Sequence, residues 1–198
     1  MRNPTALLPY LLLAAALAGG LLWREAQTIP GVGHSVSSGN VAVGGPFSLT
    51  DQDGHARPLS DFRGKYVLLY FGYTRCPDVC PTTLAVMGAA LAKLGMQAAR
   101  VVPVFVTVDP ARDTPAILKL YVKSFGPRFV GLTGSAAELA KVEHEYRVVA
   151  VRHPLPGGGY AMDHSSVVYL LGPDGKLVAF YDEAITADTL AKDLRRRL

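Results

Sequence analysis

A continuous apolar run, residues 66–71, leads into two cysteines separated by three residues, and a helical pattern follows them. The run shows no polar alternation, which is typical of a central strand covered on both faces. Cys76 and Cys80 lie in the turn after it, and Pro81 suits the first position of a helix, where its missing N–H costs nothing. Because covered strands of this kind belong to α/β sheets, the segment restricts the chain to that class.

The remaining segments alternate between strand and helix patterns. Apolar residues alternate ahead of an Asp-Gly turn in residues 47–54, which predicts an N-terminal hairpin. Ser135 and Glu138 form a capping box that begins one helix. The other predicted elements are a strand over 101–108, a helix over 114–125, a short strand over 148–151, a hairpin over 166–171 and 177–181, and a last helix ending at 198.

This order of elements is that of a thioredoxin-like domain with an N-terminal β-hairpin and an extra helix, an α/β fold. The chain has 198 residues, of which 49% are hydrophobic, so it can bury one good core but is short for two full domains. We therefore predict one domain over residues 46–198, preceded by one transmembrane helix.

The N-terminal residues predict the membrane anchor. From residue 5 to 23 every side chain except Thr5 and Tyr10 is apolar or small, nearly the length that a bilayer core requires. The run extends beyond a small-residue pattern at residues 16–18, which favours an uncleaved anchor over a signal peptide. The alternative of a cleaved signal peptide stays open.

Charge around this apolar run predicts its orientation. Arg2 and the amino terminus place residues 1–4 in the cytoplasm, so the domain lies outside. Residues 24–45, rich in Gly, Ser and Val, read as a flexible tether. No Arg-rich transit sequence precedes the run, and two cysteines suit an oxidising compartment. We expect a single-pass protein of the bacterial inner membrane with its C-terminal domain in the periplasm.

The two cysteines are the strongest functional candidates. Unpaired N–H groups at a helix start favour thiolate over thiol. A bridge between Cys76 and Cys80 would close a very small loop and remove little chain entropy, so a purely structural disulfide is a poor explanation. The pair can cycle between dithiol and disulfide or hold a soft metal ion, and their spacing leaves both functions open. With no second cysteine pair, a four-cysteine zinc site within one chain is excluded.

His164 is the candidate third residue, because it precedes a strand late in the fold, and in thioredoxin-like proteins that position faces the cysteine turn. The sequence pattern alone would favour a surface loop histidine. The formal charge of +4 is spread out except for residues 195–197, which read as a solvated helix end, so we expect no nucleic-acid partner.

Four segments together, in this order, resemble the Sco/SenC family of cytochrome oxidase assembly proteins. These segments are residues 70–84, 108–115, 131–134 and 163–165. The resemblance runs from about residue 47 to the end of the chain, except that residues 151–160 cannot be matched one by one. It implies a copper site with Cys76, Cys80 and His164 as ligands, in a protein that helps assemble the binuclear copper site of cytochrome c oxidase subunit II.

The ligand chemistry agrees with that implication, since two thiolates suit Cu(I) and an added imidazole allows Cu(II). Asp163, beside His164, and Asp109, at the end of a strand, are candidates for orienting the imidazole. Periplasmic copper carriers are further candidate partners.

Three residues near the cysteines are expected at the surface. Asp78 should face solvent or a partner, because copper of this kind prefers sulfur and nitrogen to carboxylate. Tyr73 and Arg75 are candidates for docking. The leading hypothesis is a metallochaperone, and the runner-up is a thiol-disulfide reductase that keeps the cysteines of the target copper site reduced.

Overall fold

The computed structural model describes residues 43–198 and, for the backbone only, His34–Ser35. The cytoplasmic segment and the anchor predicted for residues 1–23, together with most of the predicted tether, lie outside the described residues.

A mixed sheet forms the centre of the domain and has eight strands in the part of the chain that is described. In chain order its strands are β1 His34–Ser35, β2 Ser48–Asp51, β3 Ala56–Pro58, β4 Tyr66–Gly72, β5 Val101–Thr107, β6 Val130–Thr133, β9 Val168–Leu171 and β10 Leu177–Tyr181. Across the sheet the order is β1-β10-β9-β4-β5-β6-β2-β3. A separate two-stranded sheet pairs β7, Ala150–Pro154, with β8, Tyr160–His164.

Four α-helices accompany the strands in the described residues. They are α1 Val79–Leu94, α2 Pro115–Lys123, α3 Ala136–Glu145 and α4 Ala187–Arg197, with 3-10 helices at Leu59–Phe62 and Gly95–Arg100. α1 packs against α4, and α2 packs against β6. The predicted thioredoxin-like architecture, with its N-terminal hairpin and extra helix, is confirmed in outline.

β4 lies at the middle of the sheet, as its uninterrupted apolar sequence predicts. It pairs in parallel with β5 and antiparallel with β9, and every residue from 67 to 72 is buried. The apolar stripe of α1 packs into the same core, with Leu84 and Met87 fully buried. Met87 is therefore a core residue. Because β4 and β5 are parallel, their carboxyl ends lie side by side at one edge of the sheet.

The helix starts follow the capping signals of the sequence. Thr114 caps α2 by accepting a hydrogen bond from the N–H of Ile117, and Ser135 and Glu138 form the reciprocal capping box of α3. α1 differs from expectation, because it begins at Val79 and not at Pro81. Cys80 therefore lies inside the first helical turn.

Three parts of the chain were misread from the sequence. Residues 34–35, assigned to the tether, add β1 to the sheet through the backbone of β10, and Gly44 donates a hydrogen bond to the carbonyl of Glu145. β6 was not predicted as a strand, because its four residues show no alternation. Residues 152–160, for which the sequence predicted no strand, form most of the β7–β8 hairpin, and the glycines at 157–159 take positive φ angles in its turn.

Within the described residues, the stretch Val79–Arg100 is long and apolar enough to cross a membrane. It comprises α1 and the 3-10 helix after it, and one face of α1 is buried against the sheet and α4. It is thus a core helix of the domain, whereas the predicted anchor is an earlier segment.

Candidate metal centre

The cysteine turn, residues 73–80, connects the end of β4 to the first turn of α1. Cys80 is fully buried and Cys76 is half-buried, and both are free thiols. The N–H of Cys80 donates to Cys76 Sγ over 3.5 Å. Gly72 allows this close arrangement, because a Cβ at that position would lie 2.7 Å from Cys80 Sγ. The two sulfurs are therefore held together by the core itself.

Asp113 fixes the start of the cysteine turn from the loop that follows β5. Its buried carboxylate accepts hydrogen bonds from the N–H and hydroxyl of Thr74, at 3.0 and 2.6 Å, and from the hydroxyl of Thr107 at 2.6 Å. Asp113 was not predicted from the sequence as a site residue. Its signal was a second acidic side chain in the loop after a central strand, where the carboxyl ends of parallel strands meet.

His164 lies at the end of β8 and completes the centre. Its Nε2 is 3.2 Å from Cys80 Sγ, and its Nδ1 is 3.2 Å from the backbone carbonyl of Ser165. Since a carbonyl only accepts hydrogen bonds, Nδ1 carries the proton in the neutral ring, and the Nε2 lone pair faces the sulfur. Burial lowers the pKa of His164, which favours this neutral form.

The three side chains thus converge on one point. One ligand atom from each of Cys76, Cys80 and His164 lies within 4.8 Å of the other two. Two sulfurs and one imidazole nitrogen form a donor set suited to copper and other soft or borderline ions. A metal ion could be held here by a site that reaches solvent at Cys76 and His164.

Burial changes one expectation about the thiols. It raises the pKa of Cys80 to about 12, so the position at the helix start does not favour thiolate at this residue. The proton of Cys80 has to leave when a metal binds, because thiolate is the ligand.

The imidazole is oriented by a group that we did not predict. Asp163 is 78% exposed and pairs with His153 across the hairpin, with 2.8 Å between His153 Nε2 and Asp163 Oδ2. Asp109 is buried and accepts a hydrogen bond from the hydroxyl of Tyr160. Neither carboxylate contacts the ring nitrogens of His164, and the carbonyl of Ser165 takes the role proposed for them. The charge of Asp163 raises the pKa of His164, but burial outweighs that effect.

Tyr73 also differs from expectation, because it is only 4% exposed and is not a docking residue. Its ring meets the edge of the His164 ring with 5.8 Å between centroids, and Tyr70 approaches the same ring at 6.1 Å. Both tyrosine rings therefore pack against the imidazole. Arg75 and Asp78 are exposed, as the sequence suggested.

Fold and site together define a thioredoxin-like protein in which a Cys-x-x-x-Cys turn and a distant histidine form a candidate metal centre. The family model SCO1/SenC matches residues 35–198, and the chain belongs to this family.

Individual members of the family are also similar to this chain in sequence or structure. The mitochondrial SCO2 homolog of Bos taurus is 40% identical over 98% of this chain and 75% of that protein. Bradyrhizobium japonicum ScoI, whose structure has copper bound, is 46% identical, and the match covers 79% of this chain and all of that one with a TM-score of 0.74. BsSco, described as a Sco family cytochrome c oxidase assembly protein with a disulfide switch, is 27% identical, covering 82% of this chain and 96% of that one with a TM-score of 0.63.

Proposed function

We propose that this protein is a copper metallochaperone that helps assemble the binuclear copper site of cytochrome c oxidase subunit II. The observation that carries the proposal is the convergence of Cys76, Cys80 and His164, whose ligand atoms lie within 4.8 Å of one another. The copper bound by the Bradyrhizobium relative supports the identity of the cargo. The description of BsSco as an oxidase assembly protein supports the pathway.

The unequal exposure of the ligands suits delivery. Cys80 is fully buried, while Cys76 and His164 are half-buried and can be reached by a partner. A ligand from the target can therefore displace Cys76 or His164 first, and Cys80 would be the last ligand to dissociate. Two thiolates hold Cu(I), and the oriented imidazole makes the same site competent for Cu(II).

Metal titration of the purified protein tests this proposal. The reduced protein, kept free of oxygen, is titrated with Cu(I) and Cu(II). We expect about one copper per chain, set by the single set of two thiolates and one imidazole, and a sulfur-to-copper charge-transfer band with Cu(II). A fully reduced protein that shows no such band and no tight uptake of Cu(I) would contradict the chaperone function.

The second candidate function is reduction of a disulfide in the target copper site, and the pair of free thiols favours it. The Cys76 thiolate would attack one target sulfur, and Cys80 would then resolve the mixed disulfide. The target gains two electrons and leaves as a dithiol, while this chain is left with a Cys76–Cys80 disulfide that a dithiol reductant must reopen. The raised pKa of Cys80 slows the resolving step, which makes this candidate the weaker one.

Cells carrying Cys76→Ser separate the two functions. If the protein is a chaperone, the Cys76→Ser cells lack delivered metal, so added copper should partly restore oxidase activity. If the protein is a reductase, the target cysteines stay oxidised in these cells, so a small thiol reductant should restore oxidase activity and copper should not.

We further propose that residues 5–23 remain attached as a single-pass anchor in a bacterial inner membrane, with the domain in the periplasm. Anchoring would raise the effective concentration of the domain at a membrane-bound target. Mass measurement of the membrane-extracted protein should give an intact N-terminus. Full oxidase assembly by an unanchored form at matched abundance would show that the segment serves only for export.

A further inference from the structure

The β7–β8 hairpin carries His164 but belongs to a sheet separate from the central one. Residues 151–159 of the hairpin are all exposed. Two strands alone are at best marginally stable in water. The position of His164 therefore depends on contacts between the hairpin and the body of the domain.

Tyr160, at the other end of β8, makes such contacts. Its hydroxyl donates to Asp109 Oδ1 over 2.7 Å, and its backbone carbonyl accepts from Arg112 Nη1 over 2.8 Å. The Arg112 guanidinium lies over the Tyr160 ring at 3.6 Å and also pairs with Asp109. Arg152 covers the ring as well, at 3.4 Å. Tyr160, Asp109 and Arg112 thus close a ring of contacts, which we call the clamp.

The body side of the clamp is firmly held. Asp109 is 3% exposed, and its N–H donates to the hydroxyl of Thr107 at the end of β5. Its carbonyl accepts from the N–H of Asp113, the residue that holds Thr74 in the cysteine turn. One short loop therefore holds both the cysteine turn and the hairpin, and it sets their relative position.

Strand geometry connects the clamp to the metal centre. Side chains at every second position share a face of a strand, so Tyr160, Met162 and His164 point the same way while Asp163 points outward. Four residues of strand span roughly 13 Å at about 3.3 Å per residue. A strand fixed at Tyr160 presents His164 at a defined distance from the body.

We propose that Tyr160, Asp109 and Arg112 are positioning residues that hold the His164 imidazole against Cys80. This inference deepens the proposed function. It rests on that function only for the predicted effect on copper affinity. The placement of His164 is a property of the metal-free protein and is tested there first.

The test uses Tyr160→Phe in the full-length protein, which keeps the ring and its cation contacts but removes the hydroxyl bond to Asp109. Tyr66→Phe is the matched control, because its hydroxyl bonds the carbonyl of Arg197 away from the site. In the reduced, metal-free protein, the ring protons of His164 are shifted by the adjacent rings of Tyr70 and Tyr73. We expect Tyr160→Phe to move these NMR shifts toward those of a free histidine and to speed amide exchange in β8 about tenfold or more, leaving β4 unchanged.

Copper titration then measures the effect of the same substitution on metal affinity. Tyr160→Phe should lower Cu(II) affinity about 10–100-fold, the usual cost of losing an outer partner, with a much smaller effect on Cu(I). Unchanged His164 shifts would overturn the inference, as would shifts that move while the Cu(II) affinity stays at the wild-type value. Equal losses for Cu(I) and Cu(II) would also overturn it. A wild-type protein that binds no copper would refute the proposed function instead, and the metal-free shifts would still decide whether the clamp positions His164.

Discussion

The cysteine turn and the β7–β8 hairpin supply the two halves of one site, yet they are built in opposite ways. The turn follows a central strand and places Cys80 among fully buried core residues. The hairpin is a two-stranded sheet with an exposed tip, and the polar contacts of Tyr160 help attach it to the body. Half of the site is therefore fixed by core packing, and the other half by the directional bonds of Tyr160 together with the packing of Ala150 and Met162 against the core.

This difference has a thermodynamic consequence. Changes in the turn act on the core, so they should alter global stability and metal binding together. Changes in the hairpin act on an element that can open without unfolding of the whole domain. They should therefore alter metal binding with little effect on global unfolding.

The largest effect is expected from Cys80→Ser, which removes a ligand from the core half. Both Cu(I) and Cu(II) affinities should fall by more than the roughly 10–100-fold that loss of an outer partner costs. The ring-proton shifts of His164 should remain close to wild type, because the hairpin is attached elsewhere. Anaerobic competition titrations and NMR check the two statements. Retention of wild-type Cu(I) affinity would show that Cys80 is not a ligand.

His164→Ala removes the ligand from the hairpin half. Cu(II) affinity should fall much more than Cu(I) affinity, because the thiolate pair remains for the softer ion. His153→Ala is the matched control, since this exposed histidine lies on the same hairpin and pairs with Asp163. Titrations of both variants provide the measurement. Equal losses for the two ions in His164→Ala would make His164 a structural residue.

Gly72→Ala tests how tightly the core determines the cysteine turn. The new Cβ would lie 2.7 Å from Cys80 Sγ and 2.9 Å from the Phe105 ring, so the sulfur must move. We expect a loss of about 1–3 kcal/mol in the free energy of unfolding, together with weaker Cu(I) binding. Urea unfolding and titration measure the two effects.

Gly131→Ala serves as the control for that experiment. Its Cβ would meet Val122 and Leu118 at 3.1 and 3.2 Å, in a part of the core away from the sulfurs. It should lower stability without changing copper affinity. A Gly72→Ala protein with lowered stability but unaltered Cu(I) binding would show that the turn tolerates displacement of Cys80.

The smallest effect concerns acid stability of the body. Burial by itself would raise the pKa of Asp193, but hydrogen bonds from Arg197, Tyr181 and Arg196 outweigh it, so the pKa lies below its ordinary value of 3.8. A lowered carboxyl pKa stabilises the fold above the unfolded value, and this stabilisation is lost as pH falls through the folded value.

Asp193→Asn should therefore lower the free energy of unfolding by about 1–2 kcal/mol near neutral pH. It should also make the decline in stability below about pH 4 less steep. Asp51, whose pKa is also lowered, keeps part of that decline. Urea unfolding measured at several pH values provides the test. The His164 ring shifts at neutral pH should not change, and a change there would mean that body and hairpin are coupled more closely than their contacts suggest.

The sequence by itself determined the central architecture and the cysteine half of the site. The unbroken apolar run of β4 and the apolar stripe of α1 are local patterns, and they fixed where Cys76 and Cys80 would lie. The capping residues Thr114 and Ser135 likewise act on neighbours a few positions away. Signals of this kind are readable because cause and effect are close in the chain.

The family resemblance named His164 for the other half, but only the tertiary structure decided how that half is built. His164 meets Cys80 although it lies 84 positions later in the chain, Asp113 reaches back to Thr74, and Tyr160 reaches Asp109. The burial that raises the pKa of Cys80 and encloses Tyr73 is also contributed by distant segments. Such contacts leave no periodic trace in the sequence, because each depends on the relative placement of elements that the chain brings together only on folding.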